Sequence, residues 1–161
     1  LFYDAVGSDT GKEWLELYNQ GAGPIDIGGW FIQRATTGPF SDRFTIPANT
    51  ILGGYCYLVV GESDVAAADV KLPVNSTLAF GNASANGDGV RITDKNKVVV
   101  DTVVYGPNNN DGIVDDNNAV AKPAAAAKSG ESIARFPNGV DTDDSSVDFK
   151  PATPSMGAPN P

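Results

Sequence analysis

Glycine and proline recur at short intervals along the whole chain, and this spacing constrains the fold more than any other feature. The sequence carries 18 Gly and 11 Pro in 161 residues. Between them lie short β-prone runs, the pattern of an all-β sandwich or barrel. The first run is Leu1–Val6, closed by Gly7-Ser-Asp-Thr-Gly11. Glu13–Tyr18 then alternates, with Leu15 and Leu17 on one face and Trp14, Glu16 and Tyr18 on the other. Ile25–Ile27, Trp30–Gln33, Phe44–Ile46, Thr50–Leu52 and Tyr55–Val60 follow, separated by turn residues. The second half continues with Leu78–Phe80, Val90–Thr93, Val98–Tyr105, Ser132–Phe136 and Val147–Phe149. Asp94-Lys-Asn-Lys97 reads as a hairpin turn. Helix signals are poor: Ala119–Lys128 has room for a turn or two, and Pro123 interrupts it.

Composition removes several classes of chemistry. Eleven Lys and Arg stand against 20 Asp and Glu, a net charge of -9. A basic footprint for nucleic-acid phosphates or anionic lipid cannot be assembled from that balance. Histidine is absent, which excludes Ser-His-Asp and Cys-His nucleophile activation and imidazole metal sites. Cys56 is the single cysteine, so no intramolecular disulfide forms; its apolar neighbours predict a small buried hydrophobe. No stretch approaches the ~20 apolar residues of a membrane-spanning helix, so no membrane insertion is expected. Leu1 opens directly on strand-like sequence without Met, as in a processed or excised product.

An ordered set of motifs resembles the lamin-tail domain family. Glu13-Trp-Leu-Glu-Leu-Tyr-Asn19 and Pro24-Ile-Asp-Ile-Gly-Gly-Trp30 are similar to its opening. Ile46–Thr50, Gly54–Val60, Leu78–Asn82, Gly87–Asp94, Val100–Gly106, Glu131–Arg135 and Thr153–Asn160 follow in family order. Leu1–Asp9 resembles secreted and surface bacterial members most. The resemblance implies one immunoglobulin-like β-sandwich over residues 1–161, of about eight or nine short antiparallel strands. Long loops fall at 61–77 and 106–130, and the 150–161 segment is Pro-rich. It further implies no enzymatic activity and no catalytic residues. Trp30, Leu17, Leu58 and Val100 then read as core, and Gly28, Gly29 and Gly81 as positions of positive φ. The family's first strand begins several residues ahead of Leu1, which makes strand A short here and leaves a sheet edge open. Leu1–Val6 becomes a candidate for exchange between copies.

The 106–130 connection is long for a loop in a compact domain. Within 108–118, Asn108, Asn109, Asn110, Asp111, Asp115, Asp116, Asn117 and Asn118 all carry a side-chain oxygen. Ca²⁺ favours such hard donors, six to eight at flexible geometry. Asn108, Asn110, Asp111, Asp115 and Asp116 are therefore the candidate ligands. The spacing does not match an EF-hand loop, since Pro107 falls at the first ligand position. The competing reading is ordinary Asx-turn chemistry. Asp141–Asp144 with Asp148 form a further acidic cluster. Paired acids such as Glu13 with Glu16 or Asp115 with Asp116 lack any sign of the burial that separates catalytic pKa values.

The function expected is a non-catalytic structural or interaction module of a secreted or cell-surface bacterial protein. Its partners would be protein, including copies of itself, or polysaccharide. Two alternatives stay open: a Ca²⁺-dependent adhesion module, and an accessory domain of an exported hydrolase or nuclease.

Overall fold

The computed structural model describes all 161 residues, Leu1–Pro161. Alternating apolar side chains divide the chain into two main sheets. The first holds β1 (Trp14–Tyr18), β6 (Tyr57–Gly61) and β7 (Val70–Lys71) in the order β1-β6-β7. The second holds β3 (Phe31–Ala35), β4 (Ser41–Thr45), β8 (Asp88–Thr93) and β9 (Val99–Tyr105) in the order β4-β3-β8-β9. Two short ribbons complete it: β2 (Ile25–Asp26) with β5 (Ile51–Leu52), and β10 (Ser132–Arg135) with β11 (Phe149–Ala152). Every ladder is antiparallel except β6–β7, which is parallel and lies inside the stretch expected to be loop. Leu15, Leu58 and Val60 from the first sheet meet Ile32, Val90, Ile92 and Val103 from the second in one core cluster. This is the expected immunoglobulin-like sandwich, with eleven strands because several last only two residues.

Several local expectations are corrected. The Ala119–Lys128 stretch forms no helix, because Val120 bridges to Val114 and Ala124 to Tyr105. The one helix is α1 (Ser145–Asp148), where Asp144 caps the start by accepting from Ser146 N–H. Val147 therefore belongs to that helix and not to a strand. Leu78–Phe80 is extended without ladder pairing, though Leu78 and Phe80 are core. Cys56 is exposed: it ends the turn ahead of β6, its N–H donating to Gly53 C=O at 3.3 Å, beyond the cover of the core. Val100 is 42% exposed; Leu58 is buried, and Leu17 and Trp30 are partly buried against the main core.

Of the three glycines expected at positive φ, only Gly29 has it, at +80°. Gly28 and Gly81 are required by close approach instead. A Cβ on Gly28 would lie 2.6 Å from the Asn49 nitrogen. One on Gly81 would lie 2.1 Å from the Asp88 carboxylate. That carboxylate is buried and accepts from Ala83 N–H at 2.6 Å, while Gly81 C=O accepts from the Tyr105 hydroxyl at 2.8 Å.

The N-terminal arm is docked in its own chain. Phe2 and Trp14 exchange backbone hydrogen bonds at 2.9 and 3.1 Å, and Leu1 and Ile133 do so at 2.9 Å. Tyr3 is fully buried and stacks on Tyr105 with ring centroids 4.3 Å apart. Residues 1–4 thus run between β1 and β10, tying the β10–β11 ribbon to the first sheet.

Gly81→Ala is expected to destabilise the fold by about 1–3 kcal/mol, the range for forcing an atom into a filled site. The denaturant midpoint measures it. A midpoint equal to that of the parent protein would show that the Gly81–Asp88 contact yields without cost.

Candidate functional site

Two constellations of carboxylates are assembled by the fold, and neither is a pair that sequence spacing suggests. The first joins Glu13 and Glu62, 4% and 0% exposed. Glu13 immediately precedes β1 and Glu62 immediately follows β6, so the β1–β6 ladder brings them together. Glu62 N–H donates to Glu13 C=O at 3.0 Å. The Glu62 carboxylate accepts from Glu13 N–H at 3.3 Å, Thr77 hydroxyl at 2.6 Å and Leu78 N–H at 2.8 Å. The Glu13 carboxyl accepts from Phe80 N–H at 3.1 Å. Burial pushes Glu13 up to about 8 from its ordinary 4.5; the Phe80 N–H opposes this, and the charge of Glu62 adds to it. At neutral pH Glu13 holds a proton and the pair carries one negative charge, since two would repel in a dry interior.

The second constellation surrounds Arg135 at the end of β10. Its guanidinium meets Asp101 at 2.5 Å, Asp141 at 2.9 Å and Asp148 at 3.0 Å, and lies 4.4 Å above the Phe149 ring. Asp148 is buried and also accepts from Thr142 N–H at 2.9 Å and its hydroxyl at 2.7 Å. Asp116 joins from the 106–130 connection: carboxylate oxygens of Asp101, Asp116 and Asp141 lie within 4.8 Å of one another. Burial, then a hydrogen bond and repulsion from Asp115, raise the Asp116 carboxyl. Its Oδ1 is buried without a partner.

The five candidate Ca²⁺ ligands are distributed over different local structures. Asn108 donates to Ala85 C=O at 2.9 Å, and Asn110 to the Asn86 side chain at 3.4 Å. Asp111 is exposed at the loop tip. Asp115 is buried and accepts from the Ser145 hydroxyl at 3.2 Å. Asp116 alone of the five belongs to the Arg135 cluster. Asn109, outside that set, organises the loop by bonding Ile113 in both directions at 2.8 Å and Ala121 C=O at 2.9 Å. Asp141 and Asp148 were legible as an acidic cluster. Glu62, Asp101 and Arg135 carried no local signal, because their partners lie 34 or more residues away except within the 135–148 segment.

The sequence model of the Lamin Tail Domain family matches residues 2–107, about two thirds of the chain. The Arg135 cluster takes only Asp101 from the matched part. No curated protein matches the chain.

Arg135→Ala is expected to cost about 3–5 kcal/mol, because it strands Asp148 as a buried charge without its counter-ion. Urea unfolding reads the loss directly, and a loss near zero would show that water or Thr142 suffices for Asp148. The Glu13 carboxyl predicts a pH effect of definite sign. Its folded pKa lies above its unfolded value, so its stabilisation is complete below about pH 4.5 and is lost as pH rises through about 8. Stability of Glu13→Gln relative to the parent should therefore rise between about pH 5 and about pH 8. Parallel stability curves would remove the proton from Glu13.

Proposed function

Because the chain belongs to the lamin tail domain family, a non-catalytic immunoglobulin-like module, we propose that it serves as a structural or interaction module of an exported bacterial protein, outside the cell or at its surface. The observation that carries this reading is the use made of its buried acids. Glu13, Glu62, Asp88, Asp115 and Asp148 each accept hydrogen bonds from strand ends, loop backbone or structural side chains. Glycosidase chemistry needs two carboxyls open to a scissile bond; here the closest buried pair closes a sheet. Similarity of Leu1–Asp9 to secreted and surface members supports the location. No helix is long and apolar enough to cross a membrane. An accessory role beside an exported hydrolase or nuclease falls within the same reading.

Partners are protein, including further copies of this chain, or polysaccharide. Self-association would use sheet edges, and the net charge of -9 opposes it at low ionic strength. Leu1–Val6 contributes Tyr3 to the core, so an exchanged arm would have to be replaced by the arm of a neighbour. A second reading, Ca²⁺-dependent adhesion, is favoured by the unpartnered Asp116 Oδ1 beside Asp101 and Asp141.

Sedimentation velocity across salt and Ca²⁺ concentrations tests both readings. Association that grows with salt supports copies as partners; monomer throughout retires them and leaves protein or polysaccharide. Millimolar Ca²⁺ is expected to raise the melting temperature through native-state binding, and Asp116→Asn to abolish the rise. A melting temperature indifferent to Ca²⁺ and EDTA would end the metal reading.

A further inference from the structure

The slot that holds the N-terminal arm continues past Leu1. Along β1, odd-numbered residues face β6: Leu15 pairs with Val60, Leu17 with Leu58, and Asn19 N–H donates to Cys56 C=O at 3.1 Å. Even-numbered residues therefore turn their N–H and C=O the other way. Trp14 bonds Phe2 there, whereas Glu16 and Tyr18 have no backbone partner. The facing wall repeats the pattern. Ser132 and Ala134 pair toward β11, Ile133 bonds Leu1, and the next residue in phase is Arg135. Its N–H has no acceptor, and its C=O is held by the Asn160 side chain at 2.9 Å.

Leu1 and Phe2 hold β1 and β10 two strand spacings apart, about 9.6 Å. The gap beyond them is one strand wide. Beneath it lies a cavity of about 350 Å³ with Leu17, Ile27, Trp30, Ile92 and Phe149 in its walls.

We propose that this slot receives an extended strand from a second polypeptide, antiparallel to β1 and β10 and collinear with Leu1–Asp4. The proposal deepens the interaction-module reading and rests on it. Main-chain bonds to Glu16, Tyr18 and Arg135 supply affinity, as in β-strand addition, and the cavity supplies side-chain selection. The alternation of the arm sets the pattern. Leu1 packs on the core and Phe2 stacks on Trp14 at the outer face. The partner residue opposite Glu16 therefore points outward, and the one opposite Leu17 points into the cavity. The outward position favours Lys or Arg, because the Glu16 carboxylate meets only the Gly157 N–H and the chain is strongly acidic. The inward position takes a branched aliphatic or aromatic side chain. Other edges are less receptive: Pro151 in β11 has no outward N–H to offer, and β4 carries Asp42 and Arg43. Entry of the partner displaces Asn160 from Arg135.

Amide hydrogen exchange on the ¹⁵N-labelled chain tests this with a capped hexapeptide of alternating Lys and Ile. At a concentration ten times its dissociation constant, exchange at Glu16, Tyr18 and Arg135 should slow about tenfold, because only the free fraction opens. The same peptide N-methylated at each Ile keeps the charge and loses one hydrogen-bonding edge, and it should give no protection. Asn160→Ala, at the end of the tail, should tighten binding by freeing the Arg135 acceptor. Unchanged exchange at those three amides, or equal protection by the methylated peptide, overturns the slot. Protection confined to β4 or β7 also overturns it while leaving the interaction-module reading in place; the oligomeric state measured by sedimentation judges that reading separately.

Discussion

The sandwich hangs on the Glu13–Glu62 pair. Each glutamate sits at the end of a strand where the ladder stops, and together they supply acceptors to Thr77, Leu78 and Phe80. That stretch has no ladder partner of its own, yet Leu78 and Phe80 fill the core. Buried N–H groups left unpaired would cost about 1–3 kcal/mol each. Two carboxyl groups thus do for one irregular segment what a neighbouring strand would otherwise do. The proton on Glu13 makes this tolerable, since it halves the charge buried.

The same economy governs the loops. Asn109, Asp115 and Asp148 lie in long connections and bond backbone or buried hydroxyls across them. Side chains that look like an array of cation ligands in sequence are mostly engaged in folding the connection. What remains for binding lies where backbone pairing stops: the cluster around Arg135 and the unfilled length between β1 and β10. Both border the same cavity, which Arg135, Asp101 and Asp141 line together. The arm is the wedge that holds that space open, because Leu1 and Phe2 fix the distance between its walls.

The alternation in Glu13–Tyr18 predicted β1 and its inward leucines correctly, because a half-buried strand must show period two. The β-prone runs around Trp30, Tyr55, Val90 and Val98 were legible for the same reason, and the family motifs ordered them. Ala119–Lys128 misled because alanine propensity is weak against the tertiary bridges of Val120 and Ala124. The Asp144 cap was a readable helix signal, overshadowed by the β-prone Val147 and Phe149. Pro151 spoke against a strand, but its missing N–H points off the open edge of β11, where nothing is lost.

Sequence alone determined the all-β class, the strand alternation, the absence of histidine chemistry and the acidic surface, since these follow from residue type and local period. Tertiary structure decided which acids meet. Glu13 finds Glu62 across 49 residues, and Arg135 draws Asp101 from 34 residues away, through ladder register and strand order. It also decided that Gly81 answers to the Asp88 carboxylate and not to its own φ. Contacts of this kind depend on how elements stack in space, and no local pattern encodes a distance between segments that the chain has yet to bring together.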